Sequence, residues 1–421
     1  MKQAILLLIL LCSVCSAAKA QKTLVARFSV SSGLTDRSDS PVSADLTGIT
    51  VNDSVTLKLY ETVKGKEIDL PCQIENGVSP RLWWILSGNT PAGTSRSFAV
   101  YRVPKDKASP AVAVQNTGTV LRVLKDGKTV LDYAIKLVYP PKGIDTMYRR
   151  DAFIHPLVSP SGNILTQISP KDHYHHVGIW NPWTRVRTGG HVTDFWNLYS
   201  HQGTVRFAGI NALIEGQVFG GFNVRQEHVD FQGKNREEIT LNEVWDVRVW
   251  NADPLGGKAW VIDINSFISV PGAAEAVLEA YRYGGGLGFR ATADWDKTNS
   301  WVNTSEGKVR ADADGTRARW ADAGGMFRNS TESGIVFFSH PSNRQHPEPM
   351  RVWPLDQNGR GDVFFEFCPI RHKDWVLYPG NVYSQKYRLI VYDGKVPVEL
   401  SEKLWKDYAD PPVVTRINIR K

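Results

Sequence analysis

Ile239-Thr240-Leu241-Asn242-Glu243-Val244-Trp245-Asp246-Val247-Arg248-Val249 follows Glu238 and sets Ile239, Leu241, Trp245, Val247 and Val249 on one side of an extended chain. Successive side chains of a strand leave on opposite faces, so this period of two marks a strand with one face in a core. The pattern returns in Leu131, Tyr133, Ile135 and Leu137, just after the hairpin signal Asp126-Gly127. It returns again in Val363, Phe365 and Phe367, and in Tyr383, Tyr387, Leu389 and Val391. Short strands punctuated by Gly, Asp-Gly and Pro predict an all-β chain built as a large antiparallel β-sandwich. The one helical stretch expected is Ser401 to Asp407, with Ser401 as its cap, Trp405 packing and Pro411-Pro412 ending it.

Working outward, Pro104-Lys105-Asp106-Lys107-Ala108-Ser109-Pro110 is polar, holds two prolines and lacks periodicity, as a linker does. It divides a small N-terminal β module (21–104, with strands at Ser54–Tyr60 and Arg81–Leu86) from a large β domain (111–395); a tail, 396–421, follows. Ahead of these, Lys2, the apolar run Ala4 to Val14 and Ala18-Lys19-Ala20 have the layout of a cleavable signal peptide, 1–20, with cleavage before Gln21. The mature chain is then expected in the periplasm or outside the cell. No stretch approaches the ~20 consecutive apolar residues of a membrane helix, so no integral membrane association is expected. Beyond the leader only Cys72 and Cys368 remain, a disulfide or two buried thiols. The net charge of +7 falls to +5 without Lys2 and Lys19, and no Lys/Arg block marks a nucleic-acid partner. The 14 tryptophans, set among His, Asp and Arg, suit a carbohydrate partner, whose C–H faces stack on aromatic rings while its hydroxyls hydrogen-bond.

Five of the ten histidines fall between 173 and 201. Asp172-His173-Tyr174-His175-His176-Val177-Gly178-Ile179-Trp180, read as a strand, puts His173 and His175 on one face and Asp172, Tyr174, His176 and Trp180 on the other. The imidazoles then either exchange protons with a sugar, oriented by Asp172 or Asp194, or hold a divalent metal with His191 or Asp194 brought in by the loop. The cofactor is otherwise left open, such a metal being the one the residues suggest, and the oligomeric state is left open too. Trp180, Trp183 or Trp196 would stack the sugar ring, Arg185 or Arg344 would hold a polar or acidic substituent, and His191, Arg282 and His340 are counted with them as substrate-binding. Glu243, a carboxyl on an apolar strand face, is either an acid/base or the partner of an arginine such as Arg282. His340, in the loop His340–Glu348, and Arg290, after the Gly-rich turn Tyr283–Gly288, could reach the same cleft. That turn fits no phosphate-binding pattern. Asp312-Ala313-Asp314-Gly315 lacks the remaining calcium ligands and reads as a turn, and there is neither a Gly-x-Ser-x-Gly elbow nor a His-Glu-x-x-His helix.

Asp172-His173-x-His175-His176-x-Gly178-Ile179-Trp180 with Asp194-Phe195-Trp196 resembles the bacterial PmoA-like family, a domain of unknown function. Pro379-Gly380, Tyr387–Gly394 and Leu82-Trp83-Trp84-Ile85-Leu86 with Ala92-Gly93-Thr94 extend the likeness over most of the mature chain. Val177 stands where that family is expected to carry an arginine. The family's methane-oxygenase label does not fit a chain without a spanning helix. The resemblance implies instead a supersandwich similar to the galactose mutarotase-like fold, which hosts epimerases, lyases and glycoside-processing enzymes. The expected function is thus an exported enzyme of glycan breakdown, with His173, His175 or His176 moving protons by elimination, epimerisation or glycoside cleavage, complemented by Asp194 or Glu243. A non-catalytic carbohydrate-binding protein and a metal-dependent oxidoreductase are the alternatives.

Overall fold

The computed structural model describes residues 22–50, 55–105, 109–181, 183–233 and 237–417. The expected signal peptide and Ser54 lie outside them. Among the described residues no helix is long and apolar enough to cross a membrane.

Every strand pairing is antiparallel, and the strands form two β-sandwiches. The larger packs an eight-stranded sheet on a nine-stranded one. Glu238–Trp250 lies inside the eight-stranded sheet between Phe219–Asp230 and Ala259–Ser269. Its residues Leu241, Trp245, Val247 and Val249 are fully buried, as the alternation requires. Asp126-Gly127 turns Val120–Lys125 into Lys128–Ala134, both residues taking positive φ (49° and 77°) and Lys125 pairing with Lys128. That is the two-residue loop whose twist suits a hairpin. Ile179, Phe289, Phe365 and Tyr133 of the nine-stranded sheet join the inter-sheet core with Trp245 and Leu389. Their neighbours Trp180, Phe364 and Ala134 leave from the opposite, outer face and form a separate apolar cluster with Trp196 and Trp353. The candidate site is built there.

The smaller sandwich holds Phe28, Leu59, Leu82, Trp84 and Phe98 in its own core. Its five-stranded sheet contains Thr23–Ser31, Ser95–Pro104, Val55–Val63 and Lys66–Leu70, and its fifth strand is Val413–Ile417. The tail is therefore no separate appendage: Arg27 pairs with Ile417 and Ser31 with Val413. The helix spans Val398–Ala409, starting three residues before the expected Ser401, which is buried in its first turn; Pro397 occupies the cap position. Asp407 fastens the helix to the small module through Ser38 N (3.0 Å) and Ser40 Oγ (2.8 Å). Trp83 against Trp250, 5.2 Å between ring centres, and Glu75 with Arg248 at 2.6 Å join the two sandwiches. Cys72 and Cys368 are both free, in different cores, so the disulfide expectation is settled in favour of separate thiols.

Candidate functional site

His173, His175 and His176 do not lie on a strand. Residues 170–176 fold as two successive tight turns, closed by His173 N–H to Pro170 O (3.0 Å) and His176 N–H to His173 O (3.0 Å), and the strand is only Ile179–Trp180. The imidazoles are consequently not sorted onto two faces. They gather, with ring centres 4.7 Å (His173–His176), 4.8 Å (His175–His176) and 5.4 Å (His173–His175) apart. Together with Trp196, Asn197, Arg282, Tyr283, Arg351, Trp353, Gln357 and Phe364 they line a cavity of about 280 Å³ on the outer face of the nine-stranded sheet.

The three rings are unlike. His176 is almost wholly enclosed by Trp180, Trp353, Phe364 and Trp196, and its Nδ1 has no hydrogen-bond partner among the described residues. Such an orphan costs about 1–3 kcal/mol, and burial holds this imidazole well below its ordinary pKa. Burial, then the charges of His173 and Arg150, push His175 down to about 3. Both rings are therefore neutral near pH 7. His173 is the accessible one, its side chain 31% exposed. Its Nδ1 lies 2.8 Å from Asp172 Oδ2, which leaves Nε2 free to work in the cavity. Asp172 is itself clamped: Oδ1 accepts from Arg290 Nη2 (2.9 Å), and Oδ2 accepts from Asn358 Nδ2 (3.0 Å). Arg290 Nη1 also sits 2.9 Å from Oδ2, as an ion-pair contact outside hydrogen-bond geometry. Burial raises the Asp172 pKa, but His173 and the guanidinium outweigh it and keep the carboxyl below the usual carboxylate range. Arg290, stacked on Trp353 at 4.8 Å, ties this carboxylate to the sheet.

Asp194 does not reach the histidines. Its Oδ1 accepts from the backbone N–H groups of Trp196 (2.7 Å) and Asn197 (2.9 Å), so it shapes the loop that delivers Trp196 and Asn197 to the cavity. Of the three tryptophans expected to stack a sugar, only Trp196 lines the cavity. Trp180 is sealed behind His176, and Trp183 is in the inter-sheet core, pressed so closely on Gly285 that a Cβ there would fall 1.8 Å from its ring. The glycine turn thus serves packing. Arg282 reaches the cavity, whereas Arg185 pairs with Glu279 (2.6 Å) and His191 with Asp230 (2.5 Å) away from it. His340 bonds Ser342 (2.8 Å), and Arg344 donates to the Asp374 carbonyl and covers Trp375; neither lines the cavity. Glu243 is buried between the sheets. Its Oε1 accepts from Asn181, Ser266 and Trp245, and its Oε2 meets His228 Nε2 at 2.8 Å. Its partner is a histidine, and the Arg282 pairing does not form. Among the described residues, no three or more His, Cys, Asp or Glu are arranged to hold a metal ion, so the expected His–Asp metal set is not assembled.

Sequence reasoning missed Asn197, Tyr283, Arg351, Trp353, Gln357 and Phe364 as lining residues, and Glu366 behind them. Glu366 shares the outer face with Phe364; its Oε1 accepts from Gly284 N–H (2.8 Å), and its Oε2 has no partner among the described residues. Burial raises its pKa well above the ordinary value, which favours its uncharged form. A lone Glu inside Phe364-Phe365-Glu366-Phe367 was the available signal.

Residues 120–406 match the model of a family described as "Family of unknown function (DUF6807)". No curated protein matches. Among solved structures, an alpha-mannosidase from Enterococcus faecalis V583 is similar at a TM-score of 0.44 and 8% identity, over 93% of this chain and 46% of that one. This chain thus spans less than half of that protein, and a likeness at this level carries no argument about activity. The PmoA-like resemblance stays one of motifs, since the matched family's description does not use that name.

Proposed function

The chain belongs to the DUF6807 family, and we propose that it is an exported enzyme of glycan breakdown that moves protons through His173. The observation that carries this reading is the Asp172–His173 pair, 2.8 Å apart, opening onto an aromatic-walled cavity. A carboxylate on Nδ1 fixes the ring and its tautomer and steadies the imidazolium formed when Nε2 takes a proton. Trp196, Trp353 and Tyr283 offer ring faces to a sugar. His175 and His176, held neutral by burial, can hydrogen-bond hydroxyls without repelling a charged His173. At about 280 Å³ the cavity suits one or two sugar residues. Glycoside hydrolysis ordinarily uses two carboxyl groups flanking the bond; the described lining residues include none. The reading therefore favours proton abstraction, leading to elimination or epimerisation. Export rests on the leader read in residues 1–20.

The test is a screen of plant and algal glycan fragments for turnover, followed by His173→Ala on whichever fragment reacts. Loss of a general base typically costs about 10²–10⁴-fold in rate, so kcat should fall by at least ~100-fold with KM little changed. Unchanged turnover would remove His173 from the chemistry. Binding without turnover would make the protein a carbohydrate-binding module instead.

A further inference from the structure

The charge around this cavity is one-sided. Arg282 and Arg351 line it, and no described carboxylate does. Arg351 reaches it because Met350 and Val352, its neighbours in Glu348–Val352, take the core face. Its Nη1 pairs with Asp314 Oδ2 at 2.8 Å, but the same oxygen also serves Arg371 Nη2 at 3.1 Å. One carboxylate shared by two guanidiniums leaves a positive charge over. Arg282 makes no ion pair among the described residues; its guanidinium lies 5.3 Å from the Tyr283 ring centre. Behind the wall, Arg150 is buried with Nε and Nη1 unpartnered among the described residues. Glu366, the carboxyl next to Arg351 on the sheet, is enclosed, and burial pushes it toward its uncharged form, which weakens its opposition to this charge.

Resting on the proton-transfer reading above, we propose that the sugar taken by this cavity is a uronic acid residue, its carboxylate seated on Arg282 and Arg351. A guanidinium matches a carboxylate in charge and planar geometry. The same contact serves the chemistry. A ring C–H beside a neutralised carboxylate is far more acidic than one beside a hydroxyl, and that brings it within reach of an imidazole base. In the eliminating case the C–H bond next to the carboxylate breaks and its proton passes to His173 Nε2. The electron pair forms a C=C bond to the neighbouring ring carbon. The C–O bond there breaks, and the leaving oxygen takes a proton from water or the Tyr283 hydroxyl. No oxidant or cofactor is consumed. A sulfate ester would satisfy the arginines without acidifying a C–H bond, which is why the carboxylate is favoured.

The experiment is calorimetric titration of the His173→Ala protein, which keeps turnover from obscuring binding. The probes are trisaccharides of glucuronate, galacturonate and mannuronate, each beside its carboxyl-reduced neutral counterpart, with a sulfated galactose trisaccharide as a separate arm. At least one uronate should bind ten-fold or more tighter than its reduced counterpart. Arg282→Ala should erase most of that margin and Arg282→Lys only part of it. Arg282 is exposed, so this variant does not depend on the fold tolerating loss of the Arg351–Asp314 pair. The proposal is overturned if every reduced sugar binds as tightly as its uronate, if Arg282→Ala changes nothing, or if only the sulfated sugar binds. Failure of the enzyme reading looks different: uronates would bind through Arg282, yet the wild-type protein would not transform them.

Discussion

Glu243 and Glu366 are both carboxyl groups sealed from solvent in sheet strands, and each lies beside a histidine or arginine group in the fold. Glu243 has four partners, drawn from both sheets: Asn181 from the nine-stranded side, and Ser266, Trp245 and His228 from the eight-stranded side. Glu366 has one partner, a backbone N–H, and an oxygen with none. A buried polar group whose capacity is used up is fastening the protein to itself. One left short is either paying for nothing or waiting for something the protein does not contain. By that test the carboxyl that the sequence made prominent is a rivet, although its partners Asn181 and His228 each keep one unfilled atom, and on the proposal above the unfilled groups of Glu366, Arg150 and His176 mark the working side of the sheet.

The largest effect that would break this contrast lies at Glu243. Glu243→Ala strands four buried groups, and each buried polar group left without its partner costs about 1–3 kcal/mol. The urea midpoint should fall accordingly; a shift near zero would mean that the knot is not holding the sheets together. Next comes the histidine cluster. His175 is neutral when folded, pushed down to about 3 by burial and by the neighbouring charges, whereas an unfolded imidazole titrates near 6.5. The unfolded chain therefore takes the proton first as pH falls. Wild type should lose stability relative to His175→Gln from about pH 6.5 downward, by up to about 1.4 kcal/mol per pH unit, as read from denaturation curves at several pH values. The variant is the needed reference because Glu348, pushed up to about 7 by burial, loses its own contribution as pH rises through part of the same range. The smallest effect is Glu366→Gln. Compared at about pH 4.5 or below, where the unfolded carboxyl is protonated too, the amide oxygen can still accept from Gly284 and stability should move by about 1 kcal/mol or less; as pH rises further the unfolded carboxyl ionises while burial resists this in the fold, so the variant should gain on wild type. A large loss would show a hidden partner and dissolve the contrast.

The strands were legible because alternation is a local property: Leu241, Trp245 and Val247 announce their face wherever the strand goes. The histidine turn was harder. Asp172 to Trp180 also alternates tolerably, but Ser169-Pro170 and Gly178 fold it into turns, and Gly178 is required because a Cβ there would meet Ile154 O at 2.1 Å. That close approach comes from a strand far away in sequence. Asp172 as the orienting group and Trp196 and Arg282 at the cavity were readable; Trp353, Arg351 and Tyr283 were not, because only the sheet brings them beside the histidines. Trp183, by contrast, has the same local setting as Trp196 and ends in the core.

The Val413–Ile417 strand has a consequence in time. Because Arg27 is matched to Ile417, a chain produced from its N-terminal end cannot complete the small sandwich until nearly all of the large one exists. Closing so long a loop adds entropy cost only logarithmically, so the burden falls on the rate of assembly more than on final stability. Until the last strand arrives, Thr23–Ser31 is an edge with unpaired N–H and C=O groups, open to any other extended chain that reaches it first.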